Sequence, residues 1–502
     1  MNEPRSSAVP EGGAPTEIVT SASRRRMTPL ALSSVGRPSP DLIRIVLLWA
    51  GWLVVLCAFQ ILVQARVTPL RPDTVLAWTH SETDTDVLPC RPLLADPNMN
   101  EHVAFDSEYY ISIASTGYDD PNAQAYDASA GGVVMFQGVP SCAPGAASGW
   151  TSLDYAFMPG YPMAMRPVMA IEGILPFTSD LTETGRATLA GIVVAALGGL
   201  LAMLALARLM GHLERRREPA AAAGGADSRS GRWGGAGGLR TALYLLVFPT
   251  GFYLAQVYAE GLFLGLAFMA CALSVERKIV LASVFAVLAS LVRTPGFLLA
   301  LPLAWAAFEI LRDRETRPRG WRIGVPIVAA VAPAVAFFSW YVSPLGEKWQ
   351  AVESAFFHRS FDLAASVEAW RQAAESLLSG VDKTTGLVLT DYGLSGGQSS
   401  LGSSTMVYLT LEFAALALGV VAGAWLLRRM PGVALFGLGI VVLSAGSSAA
   451  MGMDRYVLAV PAIFLMLASL GRRVVFDRLW VMASTLLMGM LAMLFTFGFW
   501  VS

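Results

Sequence analysis

Apolar runs of roughly twenty residues recur along this chain, separated by short connectors that carry Arg or Lys. A helix satisfies its backbone hydrogen bonds internally, so such runs cross a membrane as helices. With 55% hydrophobic and 15% charged residues, the chain is more apolar than a typical soluble protein. The pattern predicts an all-α polytopic membrane protein. The formal net charge of −1 gives no indication of a nucleic-acid partner.

We expect about eleven transmembrane helices. The predicted spans are 42–64, 188–210, 241–258, 260–275, 279–293, 295–311, 323–343, 405–427, 433–450, 456–471 and 479–501. The predicted divisions are a disordered cytoplasmic tail (1–41), the first transmembrane helix (42–64), an extracytoplasmic loop (65–186), helices two to seven (187–343) with a flexible cytoplasmic linker (214–240), a second extracytoplasmic loop (344–404), and helices eight to eleven (405–502).

The distribution of basic residues gives the orientation. With a cytoplasmic N-terminus, every short connector assigned to the inside carries at least two Lys or Arg, as the positive-inside rule requires. Both long loops then lie outside the membrane. The Ala, Gly and Arg-rich segments favour a bacterial cell membrane as the location.

A polar stretch early in the first long loop combines a carboxylate with a helical pattern. Phe105, Tyr109 and Ile113 recur every four residues, and Asp106 and Tyr110 fall on a neighbouring face. This spacing predicts a short amphipathic helix along the membrane surface, with Asp106 near its N-terminus. A helix N-terminus favours an ionised carboxylate, which makes Asp106 a candidate general base. The alternative is that Asp106 only completes the helix terminus.

Further charged residues fall at the predicted outer ends of the spans. They are Glu260, Arg293, Glu412, Asp454 and Arg455. Charged side chains at such depth usually face a cavity or a charged partner. Structural ion pairs, such as Arg293 with Glu260 or Asp454 with Arg455, are one interpretation. Convergence of the set with Asp106 would instead make a polar cavity for a charged, lipid-linked ligand.

Two cysteines, Cys90 and Cys142, lie in the first outer loop. Disulfides persist outside the cell membrane, so we predict that these two pair; two free thiols are the alternative.

No metal site is predicted. Asp84 and Asp86 resemble a metal-binding Asp-x-Asp pair, but they lie in a loop that is rich in carboxylates. The four histidines show no metal-ligand spacing, and we expect surface roles for the two on the outer side. They are His80, His102, His212 and His358.

Several short motifs together resemble one family. They are Phe105-Asp106-Ser107-Glu108-Tyr109-Tyr110, Phe157-Met158-Pro159-Gly160-Tyr161-Pro162, Val257-Tyr258-Ala259-Glu260, Arg293-Thr294-Pro295-Gly296 and Arg455-Tyr456. In this order they resemble the PIG-V family, the mannosyltransferases of the GPI mannosyltransferase 2 type with their bacterial relatives. The matched motifs cover about residues 103–305, and beyond them only the hydropathy and Arg455-Tyr456 support the resemblance.

The resemblance implies a GT-C glycosyltransferase that uses a polyprenyl-phosphate sugar, here mannose, and inverts the anomeric centre. No cofactor is predicted. Asp106 matches the family's catalytic carboxylate, and Glu108 is the second candidate base. Arg293 and Arg455 would contact the donor phosphate, and Glu260 would hold sugar hydroxyls or orient Arg293. The implied substrate-binding tyrosines are Tyr110, Tyr161 and Tyr258.

The chain departs from the family pattern at two places. Phe105 stands where the family usually has Trp, and Arg293-Thr294-Pro295-Gly296 replaces the usual Arg-Pro-Thr-Gly order. Both changes keep the charged groups of the family pattern.

Other functions fit the same chain. The sugar could be arabinofuranose or glucose, and the acceptor a lipid-linked compound or a cell-envelope glycan. A transporter or lipid flippase is the non-enzymatic alternative, although its charges would be expected near the membrane midplane and its halves would be expected to repeat. A catalytically inactive scaffold is a third possibility.

Overall fold

Helices form most of the chain that the structure describes. The computed structural model describes residues 39–66, 97–120, 125–127, 150–176, 178, 181, 183–217, 233–315, 317–355, 361–381, 403–447, 450–497 and 501. The predicted disulfide between Cys90 and Cys142, the Asp84–Asp86 pair, His80 and His358 lie outside these residues.

The α-helices are, in chain order, α1 (Pro40–Arg66), α2 (Asp106–Ser115), α3 (Gly160–Glu172), α4 (Glu183–Arg217), α5 (Gly235–Leu246), α6 (Glu260–Val275), α7 (Ile279–Val292), α8 (Ala300–Arg312), α9 (Gly324–Tyr341), α10 (Pro344–Ala355), α11 (Leu363–Ser379), α12 (Ser403–Leu427), α13 (Pro431–Ala445), α14 (Met453–Tyr456), α15 (Pro461–Leu470) and α16 (Val474–Thr496). Short 3-10 helices lie at Pro97–His102, Leu153–Ala156, Gly251–Ala255, Thr294–Leu299, Gly320–Ile323 and Val457–Ala459.

A two-stranded sheet accompanies these helices in the first loop. Strand β1 (Ala125–Asp127) pairs antiparallel with β2 (Trp150–Ser152), so that Tyr126 is opposite Thr151. The sheet ends directly before the 3-10 helix at Leu153–Ala156, which packs against α2.

Six helical segments in the described part of the chain are long and apolar enough to cross a membrane. They are Pro40–Arg66, Glu183–Arg216, Thr294–Arg312, Gly320–Tyr341, Thr405–Leu427 and Val474–Thr496. The pair Met453–Ala459 and Pro461–Leu470, bent by 81°, makes a seventh if it is one span. Three shorter apolar helices, α6, α7 and α13, coincide with further predicted spans. The predicted helical membrane protein is confirmed, while the number eleven stays a prediction.

The outward-facing side chains of these helices are apolar. In α1, Leu47 and Val54 are 66% and 69% exposed, and α9 and α16 present Val328 and Leu486 in the same way. Exposed apolar surface costs about 25 cal/mol per Å² in water, whereas lipid tails impose no such cost. A bilayer is therefore the solvent that this surface fits.

Small residues set the closest helix contact in the core. Helices α4 and α6 cross where Gly198 meets Gly261 and Gly265. A Cβ atom on Gly261 would lie 2.1 Å from the backbone oxygen of Ala195, so only glycine fits there. The crossing fixes the first turn of α6, which begins at Glu260.

Three predicted segments differ from the structure in detail. The span at 241–258 is interrupted, because α5 ends at Leu246 and a separate 3-10 helix follows at Gly251–Ala255. The linker at 214–240 is shorter than expected, since α4 continues to Arg217 and α5 begins at Gly235. The second loop carries two helices, α10 and α11.

The helix predicted at Asp106 is present and is buried within the protein. Its predicted position along a membrane surface stays a prediction. Residues 107–114 are all buried. The helix packs against α3, α4 and the 3-10 helix at Leu153–Ala156, so both its polar and its apolar faces are covered. Hydrophobic periodicity revealed the helix, but it did not reveal that the polar face also has protein neighbours.

Candidate functional site

Asp106 is the first residue of α2, and the backbone before it is strained. Phe105 has φ 52° and ψ −114°, a conformation that bulky side chains rarely adopt. Such strain costs on the order of 1–3 kcal/mol and is concentrated at functional sites. The Asp106 side chain is 20% exposed, whereas Glu108 is buried at 1%. Of the two predicted bases, Asp106 is thus the more accessible.

Arg455 connects two carboxylates that come from different parts of the chain. Its Nη2 atom lies 3.2 Å from Asp106 Oδ2, and its Nε atom lies 3.1 Å from Glu260 Oε1. The Nε contact is an ion contact without hydrogen-bond geometry. The guanidinium carbon lies 5.8 Å and 5.6 Å from the ring centroids of Tyr253 and Tyr258. A planar guanidinium suits this position because it can reach two acceptors at once.

Glu260 joins this pair to a second arginine. It is the first residue of α6 and is 1% exposed. Its Oε1 atom accepts a hydrogen bond from Arg293, which follows the end of α7, and also contacts Arg455. The Oε2 atom is buried and has no hydrogen-bond partner within the described residues. The guanidinium of Arg293 lies 5.3 Å from the ring centroid of Tyr456.

Four predicted residues therefore form one chain of ion contacts in the order Asp106, Arg455, Glu260, Arg293. We call it the ion chain. It contains two carboxylates and two guanidinium groups, so its formal charge is zero. The predicted alternative pair Arg293–Glu260 is part of it. Asp454 instead accepts a hydrogen bond from the backbone N–H of Arg455 at 2.7 Å.

The predicted tyrosines line the core around the ion chain. Tyr110 packs edge-on against Tyr161, with ring centroids 4.9 Å apart. Burial raises the pKa of Tyr110 well above its ordinary value, and the charges of Asp106 and Glu260 act in the same direction. Tyr161 donates its hydroxyl to the Gly191 carbonyl at 2.8 Å, and Tyr258 donates to the Ala104 carbonyl at 3.1 Å. Their predicted contact with substrate stays a prediction.

An arginine that sequence reasoning missed holds the other end of α2. Arg166, in α3, donates from Nε to the Ala114 carbonyl at 3.1 Å and from Nη2 to the Ile113 carbonyl at 3.0 Å. The last carbonyls of a helix lack intrahelical donors, and a cation there also complements the helix dipole. Arg166 thus fixes the helix that carries Asp106 at its opposite end.

A buried polar network holds the segment before Asp106. Gln60 of α1 and Gln256 exchange amide hydrogen bonds, the shorter of them 3.0 Å. Gln256 Oε1 lies 3.2 Å from His102 Nδ1, and the His102 carbonyl accepts from the Val257 N–H at 3.2 Å. This network joins the segment that leads into Asp106 to the segment that leads into Glu260.

The surface role predicted for His102 is wrong, because the residue is only 4% exposed. Burial lowers the pKa of its imidazole to about 4, against the smaller opposite effect of the hydrogen bond with Gln256. The sequence did contain one signal for this network. Gln60 is an amide within the first apolar run, and polar side chains within spans usually have an assigned partner.

The described residues contain no group of three or more His, Cys, Asp or Glu side chains that could hold a metal ion. The ion chain itself alternates carboxylates with guanidinium groups, so each of its two carboxylates already has a cationic neighbour.

No protein-family model matches this chain, and no curated protein matches it. The resemblance of its motifs to the PIG-V family therefore stays a prediction.

Proposed function

We propose that the protein is an integral-membrane glycosyltransferase of the GT-C type. It transfers mannose from a polyprenyl-phosphate donor to a lipid-linked or cell-envelope acceptor on the extracytoplasmic side of a bacterial membrane. The observation that carries the proposal is the convergence of Asp106, Arg455, Glu260 and Arg293 in one ion chain.

The reaction is a single displacement that inverts the anomeric centre. Asp106 takes the proton of the acceptor hydroxyl while the hydroxyl oxygen attacks C1 of the sugar. The bond between C1 and the phosphate oxygen breaks, and the phosphate leaves with the electron pair. Arg293, whose guanidinium contacts one carboxylate among the described residues, stabilises the negative charge on that oxygen.

The ion chain contains two guanidinium groups that could bind the donor phosphate. Asp106 and Glu260 already contact these guanidinium groups. A phosphodiester therefore competes with the two carboxylates for the same N–H groups. Asp106 is the base rather than Glu108 because part of its side chain remains accessible.

The test is sugar transfer by membranes that contain the protein, supplied with radiolabelled polyprenyl-phosphate mannose. We expect transfer by the wild type and a loss of about 10²- to 10⁴-fold in Asp106→Asn, the usual contribution of a general base. Asp119→Asn is the matched control, because Asp119 lies in the same loop with its side chain 83% exposed. It should transfer at the wild-type rate.

Two outcomes would contradict the proposal. Equal transfer by wild type and Asp106→Asn would remove Asp106 as the base, and Glu108→Gln would then be the next variant. If the wild type fails to transfer mannose, arabinofuranose or glucose from its polyprenyl phosphate, the enzymatic function is wrong.

A further inference from the structure

Helix α12 contributes a buried carboxylate to the turn that precedes Arg455. Glu412 is 0% exposed. Its Oε1 atom accepts a hydrogen bond from the Gly452 N–H and its Oε2 atom one from the Met453 N–H, both at 2.8 Å. The Tyr408 hydroxyl lies 3.1 Å from the same Gly452 nitrogen. Both oxygens of one carboxylate are thus committed to a single turn.

This turn fixes the direction in which Arg455 leaves the backbone. Gly452 has φ 75°, the left-handed region that favours glycine. The Asp454 carbonyl accepts from the Thr250 hydroxyl at 3.2 Å, and Asp454 Oδ1 accepts from the Arg455 N–H at 2.7 Å. The backbone of Arg455 is therefore held from α12 on one side and from the turn at Thr250 on the other.

A carboxylate within a membrane-spanning helix is expensive, so its presence requires an explanation. An apolar side chain would pack in α12 at lower cost. Glu412 makes its hydrogen bonds with the one turn that delivers Arg455 to Asp106 and Glu260.

We propose that Glu412 is a positioning residue for the transferase. It holds the Arg455 guanidinium between Asp106 and Glu260 by fixing the backbone amides of Gly452 and Met453. This role rests on the proposed function, although its structural part can be tested without catalysis.

Two variants of Glu412 test its hydrogen bonds to this turn. Glu412→Gln keeps the side-chain length but places an NH₂ group against a backbone N–H, so at least one hydrogen bond is lost. Glu412→Asp keeps two acceptor oxygens on a shorter stem. Glu309→Gln is the matched control, because Glu309 also lies in an apolar helix and accepts a hydrogen bond from Trp305 Nε1 at 3.0 Å.

The kinetic test is a double-mutant cycle on donor kcat/KM. We expect Glu412→Gln and Arg455→Lys each to lose about 10- to 100-fold, and the double variant to lose no more than the worse single variant, because both act through one guanidinium. Glu412→Asp should lose less of the donor kcat/KM than Glu412→Gln does. Losses that multiply, without recovery in Glu412→Asp, would overturn the positioning role.

Amide hydrogen exchange gives a readout that does not depend on catalysis. In Glu412→Gln we expect faster exchange in the segment 452–456 and also in 104–108, which Arg455 reaches through Asp106. Glu309→Gln should exchange as the wild type does in both segments. Unchanged exchange at 104–108 in Glu412→Gln would overturn the inference even if the wild type transfers mannose. The expected exchange in a protein that transfers no sugar would contradict the proposed function alone.

Discussion

The guanidinium of Arg455 lies between the carboxylates of Asp106 and Glu260, with Nη2 3.2 Å from Asp106 Oδ2 and Nε 3.1 Å from Glu260 Oε1. Asp106 begins α2 and Glu260 begins α6, so one side chain ties the first long loop to the helical core. The Arg455 side chain is 8% exposed, which means that water screens these contacts little.

Replacing Arg455 by Lys tests whether the two contacts need a planar fork. A lysine ammonium is a compact point charge and cannot hold both carboxylates in the same geometry. We expect Arg455→Lys to lower the transfer rate about 10- to 100-fold, the equivalent of roughly 1.4–2.7 kcal/mol. Transfer from radiolabelled polyprenyl-phosphate mannose measures the loss.

Arg371 provides a matched control for this substitution. It also contacts two carboxylates, Glu368 and Glu375, but on the exposed surface of α11. Exposed ion pairs contribute about 0–1 kcal/mol, so Arg371→Lys should leave both transfer and stability nearly unchanged. Equal losses in Arg371→Lys and Arg455→Lys would show that the position of Arg455 is not special.

Neutralising Glu260 should destabilise the fold. Glu260→Gln removes the only carboxylate that contacts both Arg293 and Arg455 within the described residues, and it does so in the buried interior. Breaking a buried ion pair by removing one partner costs about 3–5 kcal/mol, because an uncompensated charge remains. Thermal unfolding in detergent should show a clear loss relative to Glu183→Gln, at an exposed position of α4. A variant as stable as the wild type would contradict the importance of the shared contact.

The sequence predicted the helices best where an apolar run is bounded by charges. The span at 260–275 coincides with α6, because Glu260 precedes the run and Glu276 follows it. The same logic selected Glu260, Arg293 and Arg455, three of the four residues of the ion chain. A charge at the end of an apolar helix is costly unless something compensates it, so such residues stand out without any structure.

The pair Arg293–Glu260 was predicted, but the partners of the Arg455 guanidinium could not be read from the sequence. Asp454 is next to Arg455 in the chain, yet the guanidinium of Arg455 contacts Asp106 and Glu260. Sequence proximity says nothing about where a side chain points after the chain turns. The strained φ of Phe105 was equally hidden, because no residue type signals that a bulky side chain will be held there.

Protonation of His102 should lower stability in acid. Its folded-state pKa is about 4, below the ordinary value of 6.5, because burial disfavours the imidazolium. Glu101 Oε1 lies 3.7 Å from Nε2, and Gln256 contacts Nδ1. Between pH 6.5 and 4 the unfolded chain binds more protons than the folded one, so stability falls as the pH is lowered through this window. Above pH 6.5 the contribution is fully present.

The size of this loss of stability follows from the same pKa difference. At about 1.4 kcal/mol per pKa unit, a fall from 6.5 to about 4 corresponds to roughly 3 kcal/mol. Thermal unfolding in detergent between pH 8 and pH 4 measures it. His102→Gln should lose this part of the pH dependence, whereas His212→Gln, whose side chain in α4 is 24% exposed, should keep it. The same pH dependence in wild type and His102→Gln would assign it to other groups.

The crossing of α4 and α6 predicts that Gly261 tolerates no side chain. In Gly261→Ala the new Cβ would lie 2.1 Å from the backbone oxygen of Ala195, which cannot rotate away. The helices must then separate, and overpacking of this kind costs about 1–3 kcal/mol. Because Glu260 is the adjacent residue, we also expect a loss of sugar transfer.

Gly489→Ala is the matched control, since a Cβ on Gly489 in α16 meets no atom within 4 Å and alanine favours the helix by up to about 1 kcal/mol. Thermal unfolding of both variants decides the matter: a Gly261→Ala protein that unfolds at or above the temperature of Gly489→Ala would mean that α4 and α6 do not cross this closely.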